Sequence, residues 1–340
     1  MIVKKIAIFQ GFSDIHTLKE MIFPEGKIED FCPVFYDIET TGLSRYSTFL
    51  YLIGAVKYEA GEWHLCQWMA EKEEEEPLLL TSFSDFLKGC SHTIQYNGDR
   101  FDQPYLEARY KVRNFSSPFP GLSSIDLYKK LKPLSFLLKL ARTKQKDLEE
   151  FLELENRAYC DGKECIRIYR SYLHKKETDA VQILMGHNEE DLMGLGRLIP
   201  MLGYLCLYQG NYRLKSFSWE EGRILTILSL PYSLPKVISN GNEEFYLTAQ
   251  NKEARLSISA KNGRLRLYYE NYKDYSYLPS EDTAISKSLS RFMDKKLYVP
   301  ATPDTCYTWF SCNEEFLSDS SRQEQYIRRV LPHLLSALKI

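Results

Sequence analysis

Pro33-Val-Phe-Tyr-Asp37-Ile-Glu39-Thr40-Thr-Gly42-Leu43 is an apolar run that ends on two acids and a Thr-Thr-Gly turn. Val34, Phe35 and Tyr36 favour a buried strand. Asp37 and Glu39 stand two apart, so their side chains leave such a strand on one face. Two acids on one face repel each other unless a cation lies between them. Outward from this stretch, residues 51–58 and 63–69 read as two further strands joined by the turn Glu59-Ala-Gly61-Glu62. Residues 92–96 and 123–127 read as a fourth and a fifth strand. Helices are expected over 78–88 and 102–113. From 128 to about 205 the pattern is mostly helical, with apolar residues at three and four spacing in Leu148, Phe151, Leu152 and in Leu192, Leu195, Leu198.

Three antiparallel-type strands, then strands alternating with helices, then a helical run describe an α/β fold. A ribonuclease-H-like mixed sheet flanked by helices fits better than a doubly wound nucleotide fold. No glycine-rich phosphate loop is present, and Gly194-Leu-Gly196 falls inside an expected helix. Residues 1–32 read as an N-terminal extension with a strand at 2–9 and a helical turn at 15–21. The acidic run 71–76, closed by Pro77, reads as a solvated turn. After Gly210 period-two alternation takes over in 245–249, 255–259 and 264–268. Ala260-Lys-Asn-Gly263 predicts a hairpin between the last two. Residues 282–294 and 322–338 look helical. The expected domains are thus 1–32, 33–210 and a smaller α+β domain over 211–340.

The 340 residues carry a formal charge of −2, with 44% hydrophobic and 26% charged residues. This composition excludes disorder, collagen and a small disulfide scaffold. No apolar run approaches the roughly 20 residues of a membrane span. The opening Met1-Ile-Val-Lys-Lys-Ile-Ala-Ile-Phe is too short an apolar segment for a signal peptide, so a cytoplasmic protein without membrane partners is expected. Cysteines 32, 66, 90, 160, 165, 206, 306 and 312 are scattered, and neither 160/165 nor 306/312 has a histidine at zinc-finger distance. They read as reduced or structural thiols. Residues 211–340 hold 18 Lys/Arg against 15 Asp/Glu, a net of +3; the remainder holds 26 against 31, a net of −5. A binder of polyanions driven by charge alone would be more basic. Neither a Gly-x-Ser-x-Gly elbow nor a cysteine with an assignable histidine supports a hydrolytic triad.

Three more polar positions stand out by context. Asp102 closes Tyr96-Asn97-Gly-Asp-Arg-Phe101-Asp102 at a strand-to-helix junction. His187 and Asp191 lie four apart in His187-Asn-Glu-Glu-Asp191, on one face of an expected helix. Glu189 and Glu190 are expected in solvent. Asp126, at a strand end, is expected to cap the next helix. Singly each has a structural explanation; the combination is the signal.

That combination resembles the DEDD 3′–5′ exonuclease superfamily. Residues 35–43, 96–102 and 187–191 look like its first, second and third motifs. The separations of 65 and 89 residues between Asp37, Asp102 and Asp191 suit its ribonuclease-H-like fold. Residues 33–205 are similar to the YprB-type subfamily, including Lys146-Asp-Leu-Glu-Glu-Phe-Leu and the Asp161-Gly162 turn. The resemblance implies that Asp37, Glu39, Asp102 and Asp191 hold two Mg²⁺ or Mn²⁺ ions. Hard oxygen ligands select such ions, which can activate a water and stabilise a leaving 3′ oxygen. It implies hydrolysis of phosphodiester bonds in single-stranded DNA or RNA. Family members place a histidine five, or a tyrosine four, positions before the last aspartate. Here His187 stands at the tyrosine spacing. It is expected to orient or deprotonate the attacking water. Thr40 and Asn97 are expected beside the substrate, with Asn97 and Phe101 shaping the second motif. The alternative is a ribonuclease-H-like module that binds nucleic acid or a protein without useful turnover. In the C-terminal domain, residues 264–277 interleave basic and aromatic side chains, a pattern that packs a small β domain or stacks bases.

Overall fold

The computed structural model describes every residue except 27, 29, 155–157, 160, 339 and 340. The expectation for Cys160 lies outside the described residues. The chain divides into two compact units, Met1–Pro133 with Thr143–Leu202, and Leu134–Arg142 with Gly203–Ile340.

In chain order the first unit contains β1 (Ile2–Ile8), α1 (Ile15–Ile22), β2 (Pro33–Thr40), β3 (Leu50–Glu59), β4 (Glu62–Met69), α2 (Glu76–Phe86), β5 (His92–Gln95), α3 (Asp102–Val112), β6 (Ser123–Asp126), α4 (Leu127–Leu131), α5 (Gln145–Phe151), α6 (Gly162–Lys175) and α7 (Thr178–Arg197). The six strands form one sheet in the order β1-β4-β3-β2-β5-β6. β2, β3 and β4 form an antiparallel meander, while β5 and β6 run parallel to β2. The mixed sheet flanked by helices is therefore present. β1 pairs with β4 over Ile2–Ile8, so this segment is an edge strand of the sheet and not an extension outside it. Lys4 and Lys5 on that strand are the kind of residues that keep an open edge in water.

Every second residue of β2 faces one layer, and β3 contributes side chains to two layers on opposite faces. Val34, Tyr36, Ile38, Ile53 and Ala55 pack with Leu79, Leu80 and Phe83 of α2 and Tyr105, Leu106 and Tyr110 of α3. Tyr51, Leu52 and Met69 pack on the other face with Cys165 and Tyr169 of α6 and Leu184 and Met185 of α7. Each fully buried large apolar side chain is worth roughly 1.5–3 kcal/mol. These two layers hold β2 in the middle of the sheet, and Asp37 and Glu39 come with it.

The acidic run is not wholly solvated. Glu76 opens α2 with a fully buried side chain. It accepts from Arg109 (2.6 and 2.7 Å), from Arg113 Nε (2.6 Å) and from the Leu50 N–H (3.0 Å). Sequence pattern gave no sign of this, because the arginines lie more than 30 residues away, Arg109 on α3 and Arg113 at its C-terminal cap. Removing one partner of a buried ion pair strands the other. Glu76→Ala should therefore cost about 3–5 kcal/mol, measured by urea unfolding; a loss under about 1 kcal/mol would show that water replaces the carboxylate.

The second unit carries α8 (Leu205–Gln209), β7 (Arg213–Glu220), β8 (Arg223–Gly241), β9 (Phe245–Ser259), β10 (Arg264–Tyr268), β11 (Tyr275–Leu278), β12 (Thr283–Ser286), α9 (Lys287–Ser290), β13 (Val299–Pro300), β14 (Tyr307–Ser311), α10 (Glu314–Ser318) and α11 (Ser320–Ser336). β7-β8-β9 form one antiparallel sheet, β12-β11-β13 another, and β10 pairs with β14. Three expectations fail here. Residues 245–249 and 255–259 are one strand, and β9 does not form a hairpin with β10. The Lys261–Gly263 turn exists, with Asn262 and Gly263 at φ 53° and 70°, but pairing stops after the single Lys261–Arg264 bridge. β14 competes successfully for β10: Arg266 lies 4.5 Å from the Tyr307 ring and 5.1 Å from the Trp309 ring. Residues 282–294 hold a strand followed by the short α9 instead of a longer helix. Among the described residues no helix is long and apolar enough to cross a membrane.

Candidate metal centre

Asp37 and Glu39 project from β2 toward α7, opposite the face that packs on α2 and α3. Their cross-strand partners on β3 are Gly54 and Leu52, and the ladder shifts register between Glu39 and Thr40. The helix α7 supplies His187, Asn188 and Asp191. His187 Nε2 lies 3.3 Å from Glu39 Oε1 and 3.3 Å from Asp191 Oδ2. Ligand atoms of Glu39, His187 and Asp191 all lie within 4.8 Å of one another, close enough to share one cation. Asn188 Nδ2 donates to Asp37 Oδ2 at 2.8 Å.

Asp102 arrives from the other side of the sheet order. It is the first residue of α3, where β5 has already ended: pairing of β2 with β5 stops at Phe35 and Ile94. This leaves the Ile38 N–H to face the Asp102 carboxylate. Asp102, Glu39 and His187 are 7%, 9% and 7% exposed.

The electrostatics report the crowding. Burial pushes the Asp37 carboxyl well above the usual range. Asp191, Asp102 and Glu39 push it further, and the Asn188 hydrogen bond opposes them. Burial raises Asp102 to about 7, against the N–H groups of Asp102 itself and Ile38, and Asp126 and Asp191 add to the rise. Asp37 thus feels Asp191, Asp102 and Glu39, and Asp102 feels Asp126 and Asp191, which is the condition a bound cation relieves.

The structure thus brings Asp37, Glu39, Asp102, His187 and Asp191 together. Thr40 does not face outward: its hydroxyl donates to Gly42 O at 2.9 Å, closing the turn after β2. Asn97 sits at φ 60°, and its backbone N–H donates to Asp126 Oδ1 at 2.8 Å. The same oxygen caps α4 through the Tyr128 N–H, as expected of Asp126. Glu189 pairs with Lys4 at 2.6 Å, and Glu190 accepts from the Ala158 N–H, so both acids have other partners. Asn188, Gln67 and Gly54 were not singled out by the sequence. Asn188 lies inside the third motif, but only the packed helix shows that its amide turns toward the sheet.

No curated protein matches this chain. Among solved structures it is similar to the family B DNA polymerase from the hyperthermophilic archaeon Pyrobaculum calidifontis, at 13% identity and a TM-score of 0.44. That likeness covers 92% of this chain and 47% of the polymerase chain, so the chain spans about half the length of that relative. Residues 34–202 match the family model described as the RNase_H superfamily. They include all five clustered side chains and most of the six-stranded sheet, and this part of the chain has a ribonuclease-H-like fold.

Proposed function

We propose that this protein is a metal-dependent nuclease, a 3′–5′ exonuclease on single-stranded DNA or RNA, of the YprB-type branch and working in the cytoplasm. The observation that carries the reading is the convergence of four carboxylates from β2, α3 and α7 on one pocket of mutual repulsion, with an imidazole among them. The donor set is all hard oxygen plus one histidine, which fits Mg²⁺ or Mn²⁺.

Asp37, Glu39, Asp102 and Asp191 would hold two such ions. Bound there, the ions would supply an activated water and stabilise the leaving 3′ oxygen during in-line attack. The chain's own residues do the rest. The apolar layers of β2 fix the spacing of Asp37 and Glu39. The start of α3 brings Asp102 to the gap beyond β5. His187, held between Glu39 and Asp191, would take the proton of the attacking water. The 3′ polarity and the single-stranded preference are supported by the motif resemblance.

The test uses 5′-labelled single-stranded DNA and RNA with Mg²⁺, Mn²⁺ or EDTA. The expected result is a metal-dependent ladder shortening from the 3′ end, absent in Asp102→Ala. Intact binding with no cleavage under either metal would favour a binding module instead.

A further inference from the structure

Asp37 is the most crowded acid of the cluster, and one neutral group touches it. Asn188 Nδ2 donates to Asp37 Oδ2 at 2.8 Å, while Asn188 Oδ1 accepts from Gln67 Nε2 at 2.8 Å. Gln67 Nε2 also donates to the Met185 backbone carbonyl at 2.8 Å. Gln67 and Asn188 are both fully buried.

The direction of this chain of bonds is forced. The Met185 carbonyl can only accept, so the Gln67 amide must turn its NH₂ toward α7. The reversed amide would set its oxygen against two other acceptors. With Gln67 donating, Asn188 must answer with its oxygen, and its own NH₂ is left for Asp37. The amides of two residues on different elements are therefore oriented by one backbone carbonyl.

Space for the chain comes from Gly54. Residues Asp37, Gly54 and Gln67 are direct cross-strand neighbours on β2, β3 and β4. Gln67 and Asp37 flank position 54, and the Asn188 side chain crosses above it. A Cβ on residue 54 would overlap Asn188 Oδ1 and fall 2.6 Å from Leu192 Cδ1. Glycine here is a requirement of close approach between helix and sheet.

We infer that Met185 O, Gln67 and Asn188 form a positioning relay, admitted by Gly54, that fixes the orientation of the Asp37 carboxylate and sets the affinity of the metal centre. None of these groups touches substrate. Outer partners that orient a ligand commonly alter metal affinity by about 10- to 100-fold. The inference rests on the proposed function only for Asp37 being a metal ligand.

The test is calorimetric titration of Mn²⁺ into the full chain, independent of turnover. Asn188→Ala and Gly54→Ala should each weaken binding about 10- to 100-fold. The double variant should be no weaker than Asn188→Ala alone, because both changes break the same link. Melting in EDTA checks that each variant is folded. If Gly54→Ala fails to fold, Gln67→Met removes the amide with little change of volume and should weaken Mn²⁺ binding likewise. With DNA, kcat should fall while KM for DNA holds.

Single variants that bind Mn²⁺ like the native chain would overturn the relay and leave the nuclease reading standing. Additive losses in the double variant would also overturn it, since Gly54 would then act through packing alone. A native chain that binds no Mn²⁺ would end the proposed function, and the relay with it.

Discussion

Metal-free protein should melt at a lower temperature at pH 8 than at pH 5, and Mn²⁺ should reverse the difference. Asp102 is raised to about 7 and Asp37 is raised as well, both by burial first. A carboxyl raised in the folded state binds a proton that the unfolded chain releases. Its stabilising contribution is present below the unfolded value near 4 and is lost as pH climbs toward 7. Metal ligands must be deprotonated, so Mn²⁺ affinity should grow over the same interval. At a free concentration about 100 times the dissociation constant, one bound ion adds about 2.7 kcal/mol. For a unit of about 190 residues that corresponds to a rise of roughly 5–10 °C. Thermal melts at pH 5, 6.5 and 8, with Mn²⁺ or EDTA, should show the gap between the two curves widening with pH. Asp37→Ala should remove the gap at every pH. A metal-free melting temperature that is flat from pH 5 to 8 would mean that Asp37 and Asp102 are not raised in solution.

The sheet and the acids were legible in the sequence because both follow from short-range rules. The two-residue spacing put Asp37 and Glu39 on one face of β2, and Val34, Tyr36 and Ile38 pack on the other. The four-residue spacing placed His187 and Asp191 on one face of α7, where His187 Nε2 meets Asp191 at 3.3 Å. What failed depended on partners distant in sequence. Glu76 looked like one more solvated acid in a run, because Arg109 and Arg113 are visible as its partners only after α2 and α3 pack. The turn at Lys261–Gly263 was correctly read as a turn, but a turn does not say which strand its second arm will pair with, and β14 took β10. Asn188 was passed over for a related reason. A buried amide has meaning only through its hydrogen bonds, and Gly54 and Gln67 lie more than 120 residues before it.

His187→Ala should lower kcat by about 10²- to 10⁴-fold, the range expected for loss of a general base, with Mn²⁺ affinity and the thermal shift retained. The imidazole is 7% exposed and lies between Glu39 and Asp191, so it cannot be an incidental surface residue. Two roles fit that position. As a base, it must present the Nε2 lone pair to a water, which requires the proton on Nδ1; among the described residues Nδ1 has no hydrogen-bond partner while Nε2 faces two carboxylates at 3.3 Å that favour the proton on Nε2, so the base role requires bound cations to engage those carboxylates. As a ligand, it would share a cation with the two flanking carboxylates, a grouping the 4.8 Å separation permits. Titration separates them. A ligand lost to alanine weakens Mn²⁺ binding along with turnover, whereas a base lost to alanine leaves the four carboxylates and their affinity intact. Added imidazole should partly restore the rate if the missing group is a proton acceptor. It should not if the histidine only packs. Retained affinity, reduced kcat and rescue by imidazole together would assign His187 to the proton. Reduced affinity without rescue would assign it to the metal, and Glu39 and Asp191 would then be its partners in one coordination sphere.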